Sequence, residues 1–134
     1  MRKLILAALL CAAAAQAQVA YEVAIPNGQA LSGELRIGPR VTGMNSSTAI
    51  AMAMPSAWTA ADLLVEASVD GSTWLPVYDS DGARVRIKVD ASRIVVLDAS
   101  VFWGLPRVRF RSVAVGGTSD APQGAERVLT VIVR

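Results

Sequence analysis

Histidine is absent from this 134-residue chain, and cysteine occurs once, at Cys11. The first absence removes the commonest general acid–base group and, with it, the imidazole of an ordinary acyl-transfer triad. The second removes any disulfide within the chain, so a small domain of this kind must rest on its hydrophobic core. Aromatic residues are scarce, at 5% of the chain. Long hydrophobic runs are also missing. The longest covers residues 4–15, short of the roughly 20 residues a membrane-spanning helix needs. The length fits one domain.

The charge is concentrated at the start. Arg2 and Lys3 precede the apolar run, and Ala15-Gln16-Ala17 places small residues where a signal peptidase reads them. This build predicts a cleavable signal peptide over residues 1–17 and a mature domain over residues 18–134, exported to the periplasm or the exterior. The other reading is an apolar first helix that stays attached. Leu9-Leu10 ahead of Cys11 argue against lipidation. Without Arg2 and Lys3, eleven basic residues balance eleven acidic ones, and a neutral domain gives no whole-body attraction for nucleic acid.

Residues 58–78 organise the rest. Leu63, Val65, Ala67 and Val69 alternate with Asp62, Leu64, Glu66 and Ser68, the period of a half-buried strand. Asp70-Gly71 supplies a reversal, and Trp74, Val77 and Tyr78 begin the return strand, which Pro76 confines to an edge. Before this hairpin, a strand runs over residues 19–25 and stops at the turn Pro26-Asn27-Gly28. Further strands are expected near residues 29–37, 41–44 and 48–54, the last apolar on both faces. Ser56 is placed to cap a single helical turn.

After the hairpin, Asp79-Ser80-Asp81-Gly82 forms another reversal. Residues 84–89 alternate basic with β-branched, and residues 93–97 form a short strand. Asp98 caps a helical turn that buries Phe102. Strands over residues 107–115 and 126–134 flank a polar loop. About eight short strands without a long helix indicate an all-β fold, an antiparallel β-sandwich of jelly-roll type.

The chemistry-bearing groups are few. Asp79 and Asp81 could serve as a carboxylate pair or begin an oxygen-ligand calcium loop. The later ligands of such a loop are missing, and turn aspartates usually bond their own backbone. No catalytic, metal or cofactor residue is therefore assigned. Arg84, Arg86 and Lys88 share one strand face, and Arg107, Arg109 and Arg111 share another. If those strands were neighbours, six cations would form a docking patch for acidic or glycan partners. Alternatively the arginines pair with Asp62, Glu66 and Asp90 across strands. Trp58 and Trp74 are expected in the core. Trp103 follows Phe102 directly, so it is the aromatic expected to face a ligand.

Two resemblances add to this. The run Leu64-Val65-Glu66-Ala67-Ser68-Val69-Asp70-Gly71-Ser72-Thr73-Trp74, with the later strand from Val108 to Arg111, resembles discoidin-like, galactose-binding-type jelly rolls. A longer pattern resembles small proteins carried by tailed phages. It comprises Ile25-Pro26-Asn27-Gly28-Gln29-Ala30-Leu31-Ser32, then Met54-Pro55-Ser56-Ala57-Trp58-Thr59-Ala60-Ala61, and finally Arg111-Ser112, Pro122-Gln123 and Arg127. That resemblance implies a virion-associated or accessory structural protein with no catalytic residues. Virion proteins assemble in the cytoplasm, so a leader would fit an exported phage-encoded protein or an envelope protein of prophage origin.

The function expected from all this is non-enzymatic docking on a virion component or a cell-surface glycan. The alternative is a secreted carbohydrate-binding module without a virion role. Trp103, Arg107, Arg109, Arg111, Arg84 and Arg86 are the candidate contact residues, and pairing with a second copy is open to the sandwich edges.

Overall fold

A computed structural model describes residues 18–37 and 47–134. The expected signal peptide, and the strand expected at residues 41–44, lie outside the described residues.

The described chain is an antiparallel β-sandwich. Its elements are β1 (Val19–Ile25), β2 (Leu35–Arg36), β3 (Ala49–Ala53), β4 (Asp62–Ser68), β5 (Leu75–Pro76), β6 (Arg86–Ile87), β7 (Ile94–Val96), α1 (Ala99–Phe102), β8 (Arg107–Val113) and β9 (Arg127–Val133). One sheet runs β1-β9-β3-β7. The other runs β2-β8-β4-β5, with β6 also paired to β4. Both β5 and β6 are short, and they share one edge of β4, facing Glu66–Ala67 and Leu63–Leu64 respectively.

The core lies between the sheets. Val23, Ile25, Leu129 and Val131 from the first sheet meet Leu63, Val65, Val108 and Phe110 from the second, all buried. Period-two alternation explains this placement in every long strand except β3. There Ala49 pairs with Val133 and Ala51 with Ile132, so Ile50 is an extra residue. The bulge shifts parity, and both Ala49 and Met52 face inward. α1 closes one end. Asp98 accepts a hydrogen bond from the Ser100 N–H at 3.0 Å, and Phe102 is buried beneath the turn.

Four expectations need correction. β4 is buried on both faces rather than one, because the core covers one face and the side chains of Arg86, Arg109 and Arg111 lie over the other. Val69, counted in its apolar row, is exposed beyond the strand end. Residues 56–61 form no helical turn. Trp58 nevertheless packs on the core and donates its indole N–H to the Ala61 carbonyl at 3.3 Å. Of the expected strand over residues 84–89, only Arg86–Ile87 pairs in the sheet.

The outer faces of the two sheets differ. On the β1-β9-β3-β7 sheet, the side chains opposite the core align in rows. One row reads Ala20, Ile132, Ala51, Val96. The next reads Glu22, Thr130, Ala53, Ile94. Ala24 and Val128 begin a third. Glu22 is the one charged residue among these ten positions.

Candidate functional site

The outer face of the other sheet carries the charges. Asp62, Leu64, Glu66 and Ser68 of β4 point there and are buried. β6 and β8 do not adjoin, because β4 lies between them. The six cations therefore do not form one patch. Carboxylates from β4 separate the two rows, and the arginines are paired.

Arg86 donates to Asp62 at 2.9 Å and also to the Gly117 carbonyl. Arg109 and Arg111 share the two oxygens of Glu66, at 2.8 and 3.0 Å. Arg111 continues to Asp120 at 3.0 Å, and Arg107 reaches Glu34 at 3.3 Å. Arg84 makes no such contact in this ladder, and its buried Nε has no hydrogen-bond partner among the described residues. Cross-strand pairing with Asp62 and Glu66 was among the expectations. Asp90 instead pairs with nearby Arg93.

Burial pushes the Glu66 carboxyl up, but the hydrogen bonds from Arg111 and Arg109 outweigh it and hold the group below its ordinary value. The same contact with Glu66 raises Arg111. Trp74 belongs to this layer and not to the core, since the Arg109 guanidinium stands 4.5 Å over its ring. The carboxylates paired with Arg107, Arg109 and Arg111 make that row of β8 a roof over β4 and not an open anion site.

The turns account for three further carboxylates. Asp79 accepts from the backbone N–H groups of Asp81 and Ala83, both at 2.9 Å. Asp70 accepts from Ser72 and Thr73, both at 2.8 Å, which lowers its pKa to about 2. Asp98 is likewise lowered by its hydrogen bonds from Ser100. Gly71, at φ +82°, is the residue that lets this turn close over Arg107, because an added Cβ would run into that guanidinium. Among the described residues, no three His, Cys, Asp or Glu residues are grouped to hold a metal ion.

Sequence reasoning missed a polar knot centred on Gln123, whose side chain is fully buried. Its oxygen accepts from the Thr59 N–H at 2.9 Å. Its amide nitrogen donates to the Thr59 carbonyl at 3.1 Å and to Ser112 Oγ at 2.9 Å. Its backbone receives the Gly28 N–H at 2.9 Å and donates to Gln29 at 3.0 Å. Ser32 Oγ adds a bond from the Phe110 N–H at 2.8 Å. Gly28, Gln29, Ser32, Thr59, Ser112 and Gln123 lie within the segments 25–32, 54–61, 111–112 and 122–123. In this fold they tie loops to β8, so their spacing has a structural cause.

Two features face solvent without such ties. A cleft of about 270 Å³ opens between β6 and β7, with Val85, Ile87, Leu97 and Phe102 among its apolar lining and Arg86, Lys88 and Asp98 supplying polar groups. Trp103, next in the chain after Phe102, is 60% exposed. The second feature is the apolar outer face carrying Ile94, which is 66% exposed, and Val96, which is 83% exposed. Among the described residues, no helix is long and apolar enough to cross a membrane.

No family model matches the chain, and neither a curated protein nor a solved structure is significantly similar to it.

Proposed function

We propose that this chain is a non-catalytic binding module that holds a cell-surface glycan at the cleft between β6 and β7. The observation carrying this reading is an exposed Trp103 that follows Phe102 of the cleft lining directly in the chain, with an apolar floor and polar groups in the cleft itself. Sugar rings present one apolar face and a rim of hydroxyls, and an aromatic ring with nearby charged donors and acceptors matches both. Arg86 is committed to Asp62, which leaves Lys88 and Asp98 as the groups best placed for hydroxyl contacts. Arg107, Arg109 and Arg111 support β4 in this reading and do not touch ligand.

The reading extends to a phage-related structural or accessory protein, docked on a virion neighbour or on its host. That part rests on the sequence pattern of residues 25–127 alone. Mass spectrometry of purified particles and of periplasm tests it directly.

The glycan site is tested on a glycan array. Trp103→Ala is expected to weaken binding roughly tenfold, the loss for one aromatic contact, with an unchanged melting curve. Retention of no glycan by the parent chain would end this reading.

A further inference from the structure

We infer that the outer face of the β1-β9-β3-β7 sheet is the interface between two copies of this chain, related by a two-fold axis parallel to the strands. The site is separate from the glycan cleft except at Val96, which borders both.

The inference comes from the order of side-chain sizes across the face. Reading from β1 to β7, the row at Ala20 runs small, large, small, large: Ala20, Ile132, Ala51, Val96. A two-fold axis along the strands reverses this order in the second copy. β7 then lies over the partner's β1, and β9 over the partner's β3. Large residues meet small ones throughout that row: Val96 over Ala20, and Ile132 over Ala51. In the next row, Ile94 lies over Glu22 and Thr130 over Ala53. Sheets that pack face to face with nearly aligned strands interdigitate in this way. A two-fold axis across the strands, through the middle row, would instead set each strand over its own copy, with Ile94 against Ile94 and Glu22 against Glu22.

Charge agrees with this assignment. A charged partner would leave a mark of charge on the face, and among the ten positions named above the only ionisable residue is Glu22. It sits on the edge strand β1, at the rim of the proposed contact, where its carboxylate turns outward past the partner's Ile94 to reach water. The opposite sheet shows what this chain does with a face it covers itself: it roofs β4 with paired arginines. Among the described residues nothing comparable covers Ile94 or Val96, the most exposed large residues of that sheet.

The size of the face sets the strength. Four strands about 4.8 Å apart and three rows about 6.7 Å apart cover roughly 400 Å². Two copies bury about 800 Å² before side-chain relief is added, below the roughly 1,200 Å² of stable specific interfaces and in the range of weak, transient ones. The expected dimer is therefore reversible and forms only at high protein concentration.

Sedimentation of the full chain from about 1 to 200 μM tests this. The parent is expected to pass from monomer to dimer. Ala51→Lys and Ile132→Glu are each expected to raise the dissociation constant by more than about 100-fold, because each buries unpaired charges. Ile94→Glu, at a well-exposed edge position, serves as a variant that leaves folding intact. Mixing Ala51→Lys with Ile132→Glu is expected to restore a heterodimer, since only the strand-parallel two-fold brings those positions together. A parent that stays monomeric at 200 μM would overturn the inference. So would a mixture that does not associate. A monomer whose Ile94→Glu variant loses melting temperature would also overturn it, by showing that another segment of the chain covers the face. None of these variants lines the cleft, so glycan binding is read independently of the dimer.

Discussion

A Gln123→Ala variant is expected to unfold roughly 10 °C below the parent, a loss of about 3 kcal/mol. The amide is fully buried and makes three side-chain hydrogen bonds, two to the Thr59 backbone and one to Ser112 Oγ. Truncation leaves the Thr59 N–H and carbonyl without those partners, and each orphaned buried group costs about 1–3 kcal/mol. It also opens a cavity beneath the loops at residues 26–29 and 121–124. Thr59 is exposed enough to recover some water contacts, which holds the total near the middle of that range. Gln123→Glu is expected to be no better. A carboxylate there would face the Thr59 carbonyl with no proton to offer, and Ser112 Oγ already donates to the Ala121 carbonyl at 2.7 Å. Thermal melting followed by circular dichroism measures both. A shift under about 2 °C would show that the loops are held by their own backbone bonds.

Glu66→Gln is the second large effect, at about 2–4 kcal/mol. Glu66 is buried, and its two oxygens hold Arg109 and Arg111 at 2.8 and 3.0 Å. Removing the negative charge strands two guanidinium groups over a buried strand. Their side chains remain about a quarter exposed and Arg111 keeps Asp120, so water and that second carboxylate moderate the loss. Adding Arg109→Met to Glu66→Gln is expected to recover part of it, because a pair removed together leaves no uncompensated charge.

The same pair predicts a pH dependence. The folded-state pKa of Glu66 lies below its ordinary value. A depressed carboxylate binds its proton more weakly folded than unfolded, so its contribution is complete above the unfolded pKa, near 4.5. It is lost as the pH falls through the lower folded value. The parent should therefore lose stability on acidification below about pH 4.5 more steeply than Glu66→Gln. Asp70 and Asp98 shift in the same direction, and they cancel in the comparison of the two proteins. Parallel acid-unfolding curves for parent and variant would remove Glu66 from the account.

The β-strands were legible because alternation needs only the chain itself. Leu129, Val131 and Val133 face the core, and Val108 and Phe110 do the same, wherever the strands pair. Turn chemistry was equally local: Asp70 and Gly71, Asp79 and Gly82, and Asp98 each act on groups within a few residues. Trp103 was separable from Phe102 for the same reason, since adjacent residues on one short turn cannot both face inward.

Asp62 and Glu66 were legible as cross-strand partners of the arginines, but which arginine meets which carboxylate was not. Which carboxylate meets Arg109 depends on β4 lying beside β8, and that pairing joins residues more than forty apart in sequence. Trp74 went to the arginine layer because its strand returns along the edge of β4, beside the outer row. Gln123 gave no local sign at all. A glutamine in a polar loop reads as solvated until the fold carries Thr59 and Ser112 to it.

The sequence alone determined the strands, the turns and the lack of histidine chemistry, since these follow from residue type and short-range periodicity. Only the tertiary structure decided that one sheet covers its outer face with paired charges while the other has an apolar outer face that no described residue covers. The reason is that a side chain's solvent is set by which strands become neighbours, and neighbours are fixed by packing over long separations in the chain.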